Sequence, residues 1–196
     1  MEVIPTEQYG FIPGKSMVQA VQSVLEYIED SINKPKGHVF AALIDYKKAF
    51  DGINRNILMQ KLEAVLGPED QFYNLIKNIM KTNIINISDG LLESPDIVQT
   101  NGVLQGDPLS PIMFNLVTHD VVQRVATQDV KMYLYADMVV LSNNRTSLQE
   151  AINNLVVWSQ DNDMQINQNK TKIMKFRKGE NYPQRTSLSA KIKLLK

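Results

Sequence analysis

The stretch that most restricts the fold of this chain is Tyr133-Leu134-Tyr135-Ala136-Asp137-Met138-Val139-Val140-Leu141-Ser142. Apolar and aromatic residues run up to a single acid, and an apolar run leads away from it. Two buried strands meeting at a tight turn, with a carboxylate at the tip, satisfy that pattern. Such an Asp has an ordinary explanation, because its side chain bonds to nearby backbone N–H groups and so favours turns. The other explanation is that the hairpin presents the acid for chemistry. A second acid, Asp45, also ends an apolar run, Val39-Phe40-Ala41-Ala42-Leu43-Ile44, which reads as a strand buried on both faces. If that strand lies beside the hairpin, both acids reach one edge of one sheet.

The segments around these strands read mostly as helices. Ser16 is a helix cap, and Met17, Val21, Val24, Leu25, Ile28 and Ile32 recur at helical spacing over 17–33. Helices are expected over 54–66, stopped by Gly67-Pro68, and over 69–81, with Phe72, Leu75, Ile76, Ile79 and Met80 on one face. Residues 84–98 read as a hairpin turning at Asp89-Gly90. Ser110-Pro111 opens a helix expected to run to about 126. Ser147 and Glu150, in capping-box spacing, open another over 147–160. The last strand is expected at 170–176. The order strand, helices, strand-loop-helix, hairpin, helix, strand is an α+β pattern built on one small sheet.

Composition narrows the chemistry. Among 196 residues, 43% are hydrophobic, enough for a sizeable core, and there is no cysteine to form disulfides or ligate metal. No apolar run approaches the roughly 20 residues of a membrane span, and the N-terminus lacks the pattern of a signal peptide. An intracellular protein, nuclear or cytoplasmic, is expected. Lys+Arg and Asp+Glu are both 21, which is a poor balance for a free-standing nucleic-acid binder. Positive charge is nonetheless concentrated late, at Lys170, Lys172, Lys175, Arg177, Lys178, Arg185, Lys191, Lys193 and Lys196. That run reads equally as a solvated strand face with its tail and as a phosphate-contacting surface.

Two carboxylates at one sheet edge repel each other unless a cation bridges them. Oxygen ligands without His or Cys favour Mg²⁺, and a pair of such ions clamps the attacking and leaving oxygens of a phosphoryl transfer. The polar, Gly-rich stretch Gln99-Thr100-Asn101-Gly102-Val103-Leu104-Gln105-Gly106-Asp107-Pro108 precedes a helix, where backbone can approach a nucleotide closely.

The residues themselves carry a more specific resemblance. Asp45-Tyr46-Lys47-Lys48-Ala49-Phe50-Asp51 resembles the first palm motif of reverse transcriptases. Gly102-Val103-Leu104-Gln105-Gly106-Asp107-Pro108-Leu109-Ser110-Pro111, followed by Phe114-Asn115-Leu116, resembles the second. Tyr135-Ala136-Asp137 is similar to the start of the third, Tyr-Ala-Asp-Asp, and Ile166-Asn167 with Asn169-Lys170-Thr171-Lys172 resembles the fourth. Gln8-Tyr9-Gly10-Phe11 with Gly14-Lys15-Ser16 is similar to a fingers motif that precedes them. The order matches over about residues 7–178, and the phrasing is nearest to LINE-type, non-LTR retrotransposon enzymes.

The resemblance implies a polymerase palm, a ferredoxin-like antiparallel sheet with helices on one face, plus part of the fingers. It implies a partial fingers segment at 1–38 and a palm with inserted fingers helices at 39–178; beyond it, the residues themselves read as a basic, poorly ordered tail at 179–196. Asp45 and Asp137 would ligate two Mg²⁺ ions, with Mn²⁺ as a substitute, and Lys170 would protonate the leaving pyrophosphate. Phe50 would exclude a ribose 2′-OH, and Gln105 and Gly106 would contact the incoming nucleotide and template, with Tyr46 a further nucleotide-binding candidate. The implied partners are an RNA template, a DNA primer and dNTPs, and no membrane.

Without the family, Phe50 reads as core, Lys170 as a surface strand lysine, and Asp51 as an acid at a helix N-terminus. The sequence also departs from the pattern. Met138 stands where the second Asp of the turn belongs, and a thioether is a poor partner for Mg²⁺. Nothing resembling a thumb follows residue 178, and the chain starts inside the fingers. A weakened metal site and reduced or absent polymerisation are therefore expected. The alternative function is a non-catalytic, domesticated scaffold that keeps the fold and binds protein or RNA. An RNA-dependent RNA polymerase is disfavoured by Phe50.

Overall fold

The computed structural model describes residues 3–178 and 184–185. The elements in chain order are α1 (Met17–Ile32), β1 (His38–Ile44), α2 (Arg55–Leu66), α3 (Gln71–Lys81), β2 (Asn83–Ile85), β3 (Ile97–Gln99) and α4 (Ser110–Thr118). They continue as α5 (Val121–Val125), β4 (Val130–Leu134), β5 (Met138–Ser142), α6 (Arg145–Asp161), β6 (Lys172–Arg177) and β7 (Gln184–Arg185). They divide into two compact units, one of Lys48–Thr118 and one of Glu2–Lys47 with His119–Lys196. The poorly ordered tail expected at 179–196 lies outside the described residues, apart from the β7 pair.

The discontinuous unit is built on an antiparallel sheet in the order β4-β5-β1-β6-β7. β1 is central, which is why its run Val39–Ala42 is almost wholly buried. Neighbouring residues on a strand point to opposite faces. Val39 and Ala41 accordingly pack with Leu141 against Ile28 of α1. Tyr46, on the other parity, reaches Ser159 of α6. The expected antiparallel sheet with helices packed on it is present, and α1 lies against the face opposite α6. Much of the apolar stripe of α1 stays in contact with solvent, with Met17, Val21 and Leu25 more than half exposed.

The other unit holds α2, α3, the β2–β3 hairpin and α4. Asn54 and Asp70 cap its first two helices, each carboxamide or carboxylate oxygen accepting two backbone N–H bonds. Gly67 ends α2 at φ 87°. The buried side chains of α3 are Tyr73, Ile76 and Met80, whereas Phe72 and Leu75 face solvent.

Two expected helices differ in their bounds. The run expected at 110–126 is broken at His119–Asp120 into α4 and α5. Thr118 bonds back to the Phe114 carbonyl, a contact that bends helices, and the Asp120 carboxylate accepts a bond from the Trp158 indole at 2.9 Å. α6 starts at Arg145 because Asn144 caps it through the N–H groups of Thr146 and Ser147. Ser147 is therefore inside the helix.

Candidate active site

Asp45 and Asp137 converge because of strand register. β1 and β5 run antiparallel with Ile44 opposite Met138. Asp45 follows Ile44 and Asp137 precedes Met138, so both acids lie just past the same end of the pair. The Asp45 backbone is held on both sides. Its N–H donates to Thr171 Oγ1 at 3.3 Å, and its carbonyl accepts from the Asn167 N–H at 2.7 Å. Lys170 Nζ stands 3.9 Å from Asp45 Oδ1. Asp45 Oδ2 is buried with no hydrogen-bond partner.

The electrostatics match this approach. The Asp137 carboxyl is pushed above the usual carboxylate range, first by burial and then by the charge of Asp45, while Lys170 pulls it back. The apolar surroundings are a groove of about 600 Å³ between α1 and the sheet, lined by residues such as Val21, Leu25, Leu43, Val139 and Met174 as well as the two acids and Lys170.

The turn carrying Asp137 is braced by the segment before α1. The Tyr9 N–H donates to the Leu134 carbonyl at 2.7 Å, and the Leu134 N–H donates to the Glu7 carbonyl at 2.9 Å. Gly10 is required there, because a Cβ would lie 2.1 Å from the Tyr135 carbonyl oxygen. Lys15 ties the loop down through the Gln8 carbonyl at 2.9 Å and stands over the Tyr9 ring.

Tyr46 and Met138 point the other way. Tyr46 is 6% exposed and Met138 1%. The Tyr46 hydroxyl lies 2.9 Å from Ser159 Oγ and 3.9 Å from the Met138 sulfur. Burial drives the Tyr46 phenol well above its ordinary pKa.

The remaining candidates belong to the unit Lys48–Thr118. Phe50 is half-buried and stacks on Phe114 with ring centroids 5.1 Å apart. Gln105 Nε2 donates to Asp51 Oδ1 at 2.9 Å. Phe50, Gln105 and Gly106 line one cavity of about 500 Å³ with Asp107, Pro108 and Ser110. Gly102 at φ 75° lets the loop lie against Asp51, whose carbonyl would be 2.5 Å from a Cβ there.

Sequence reasoning missed Arg55. It is 5% exposed, and its guanidinium donates to the carbonyls of Gly102 at 2.8 Å, Met80 at 2.9 Å and Gln99 at 3.1 Å, and to Asn83 Oδ1 at 2.7 Å. It therefore fastens the base of the Gly102–Gly106 loop to α3 and β3. The one cue was a cation in the first turn of a helix, where the dipole disfavours it.

The acid pair suits a hard divalent cation. Its donors are carboxylate oxygens, and one of them is buried with no other partner. Among the described residues no group of three or more His, Cys, Asp or Glu gathers, so two acids are what the site offers. No described helix is long and apolar enough to cross a membrane.

Comparison with known proteins supplies the remaining observation. Residues 1–191 match the family described as reverse transcriptase (RNA-dependent DNA polymerase). The chain is 24% identical over 173 residues to the Pol polyprotein of the type-1 retrotransposable element R2 from Nasonia vitripennis, covering 84% of this chain and 17% of that one. It is 25% identical over 188 residues to the RNA-directed DNA polymerase from mobile element jockey of Drosophila melanogaster, covering 89% and 20%. The chain thus spans about a fifth of the length of these curated relatives. Among solved structures, apo telomerase from Candida tropicalis truncated from its C-terminal domain superposes with a TM-score of 0.67 at 16% identity, over 89% of this chain and 37% of that one. Telomerase from the same organism, in complex with a fragment of telomeric RNA, gives 0.66 at 14%, over 89% and 31%. At these identities the superpositions establish the fold.

Proposed function

The chain belongs to the reverse transcriptase family, with non-LTR retrotransposon polymerases among its relatives, and from that premise we propose that it is the palm and part of the fingers of an RNA-directed DNA polymerase that adds dNTPs to a primer 3′-OH. The observation that carries this reading is the convergence of Asp45 and Asp137 beside Lys170.

Asp45 and Asp137 are the residues that would hold divalent metal, Mg²⁺ or Mn²⁺. When bound, such ions lower the cost of gathering charge on the attacking and leaving oxygens of a phosphoryl transfer. The chain's own contribution is positional. Strand register brings the two acids together, the Asn167 and Thr171 bonds keep the Asp45 backbone still, and the Gly10 contact braces the turn. Lys170 Nζ, exposed and held only loosely to Asp45, is free to meet a triphosphate and to give its proton to the departing pyrophosphate. For Phe50, discrimination against the 2′-OH is supported by a half-buried ring held by Phe114. For Gln105 and Gly106, nucleotide and template contact is supported by their shared cavity.

With only the carboxylates of Asp45 and Asp137 to hold divalent metal among the described residues, the site is expected to be weak and nucleotide incorporation slow. Primer extension on an RNA template with Mg²⁺ or Mn²⁺ tests the reading. Slow incorporation abolished by Asp45→Asn supports it. A folded chain that incorporates nothing in either metal, or incorporates equally well with Asp45→Asn, overturns it in favour of a non-catalytic scaffold.

A further inference from the structure

Met138 raises a question of direction. An acid at this position would matter to metal only if the side chain reached the edge where Asp45 and Asp137 stand. The side chain goes into the core instead. Met138 is 1% exposed, sits between Ile44 and Leu134 in the sheet, and its sulfur rests 3.9 Å from the Tyr46 hydroxyl. Ser159 Oγ donates to the Leu155 carbonyl at 2.7 Å, so its proton is committed. The Tyr46 hydroxyl therefore donates to Ser159 Oγ across 2.9 Å. A buried phenol fixed in this way is held rigidly, because breaking the bond strands a polar group in the core.

Tyr46 adjoins Asp45, and Met138 adjoins Asp137. The contact between Tyr46 and Met138 thus joins, on the buried face, the same two strand ends whose acids meet on the other face. α6 supplies the anchor through Ser159. We propose that Tyr46 and Met138 are positioning residues, and that the phenol–thioether contact anchored on Ser159 sets the separation at which Asp45 and Asp137 present their oxygens to metal. The acid missing from the turn is replaced by a core contact, and the ligand set is the remaining pair. This rests on the reading of Asp45 and Asp137 as the metal pair. Groups that orient a ligand without touching the metal typically change its affinity by about 10–100-fold.

Mn²⁺ binding to the full chain, without nucleotide, separates the possibilities when measured by electron paramagnetic resonance beside thermal unfolding by circular dichroism. Tyr46→Phe keeps the ring and removes the hydroxyl, and is expected to weaken Mn²⁺ binding about tenfold while the fold persists. Ser159→Ala reaches the same contact from the other side, so the test survives if either variant unfolds. Met138→Ala is expected to weaken binding similarly, and Met138→Leu less, because it refills the volume. Met138→Asp is expected to lower the unfolding temperature without tightening Mn²⁺ binding. Wild-type affinity in both Tyr46→Phe and Ser159→Ala, alongside loss of binding in Asp45→Asn, overturns the positioning role alone. Tighter Mn²⁺ binding by Met138→Asp shows that position 138 reaches the metal, and also overturns it. Wild-type affinity in Asp45→Asn overturns the metal pair itself.

Discussion

Two hairpins in this chain start from similar sequence and end in opposite environments. The β4–β5 hairpin pairs Val130 to Leu134 with Met138 to Ser142, and Val140 and Leu141 are fully buried. The β2–β3 hairpin pairs Asn83 to Ile85 with Ile97 to Gln99, adds a single bridge between Ser88 and Glu93 near its turn, and leaves Ile84, Ile87, Leu91 and Leu92 exposed. Both have an Asp at the turn. Asp89 accepts backbone N–H bonds from Leu91 and Leu92, and the Leu92 bond, then the Leu91 bond, holds its carboxyl below the usual range. Asp137 is shifted the opposite way, by burial and by Asp45. One acid is a turn former satisfied by its own backbone, and the other is held against an unfavourable environment. Structures sustain such a cost most often where a group has work to do.

The sharpest way to break the contrast is at the two acids. Asp137→Asn is expected to reduce nucleotide incorporation by about 10²–10³-fold with little change in unfolding. Asp89→Asn leaves incorporation at the level of the parent chain. Primer extension checks both, and a comparable loss from Asp89→Asn would remove the distinction. Next in size are the apolar residues. Leu141→Ala deletes a fully buried side chain and should cost about 2–5 kcal/mol in denaturant unfolding. Leu91→Ser, at a position 93% exposed, should stay within about 0.5 kcal/mol. Gly10→Ala forces a Cβ onto the Tyr135 carbonyl and should cost about 1–3 kcal/mol, with the largest amide shifts at 133–138 by NMR. The smallest effect is a sequence of titrations. In a carboxyl-detected NMR titration without metal, lowering the pH should protonate Asp137 before Asp89, because the first is raised and the second lowered. The reverse order would mean that the Asp137 environment is more polar than described.

Much of the fold was legible because its signals are local. Ser16 caps a helix by bonding the N–H group three residues away, and Gly67 ends one by its own φ. The candidate acids were legible as the ends of apolar strands. Features that depend on distant partners were not. The break at His119–Asp120 involves the Trp158 indole, 38 positions away from Asp120. Asn144 caps α6 ahead of the better-patterned Ser147. Arg55 matters through four acceptors that only folding assembles.

The sequence by itself determined the element types, the apolar runs of β1 and β4–β5, and the two acids that end them. It did so because propensity, capping and alternation act over a few residues. Tertiary structure alone decided which turn acid is strained and which apolar hairpin is covered. It also decided that Met138 turns into the core against Tyr46, on the face opposite to the two acids. Those outcomes depend on neighbours brought together across the sheet, and a strand does not carry in its own sequence the identity of what will pack against it.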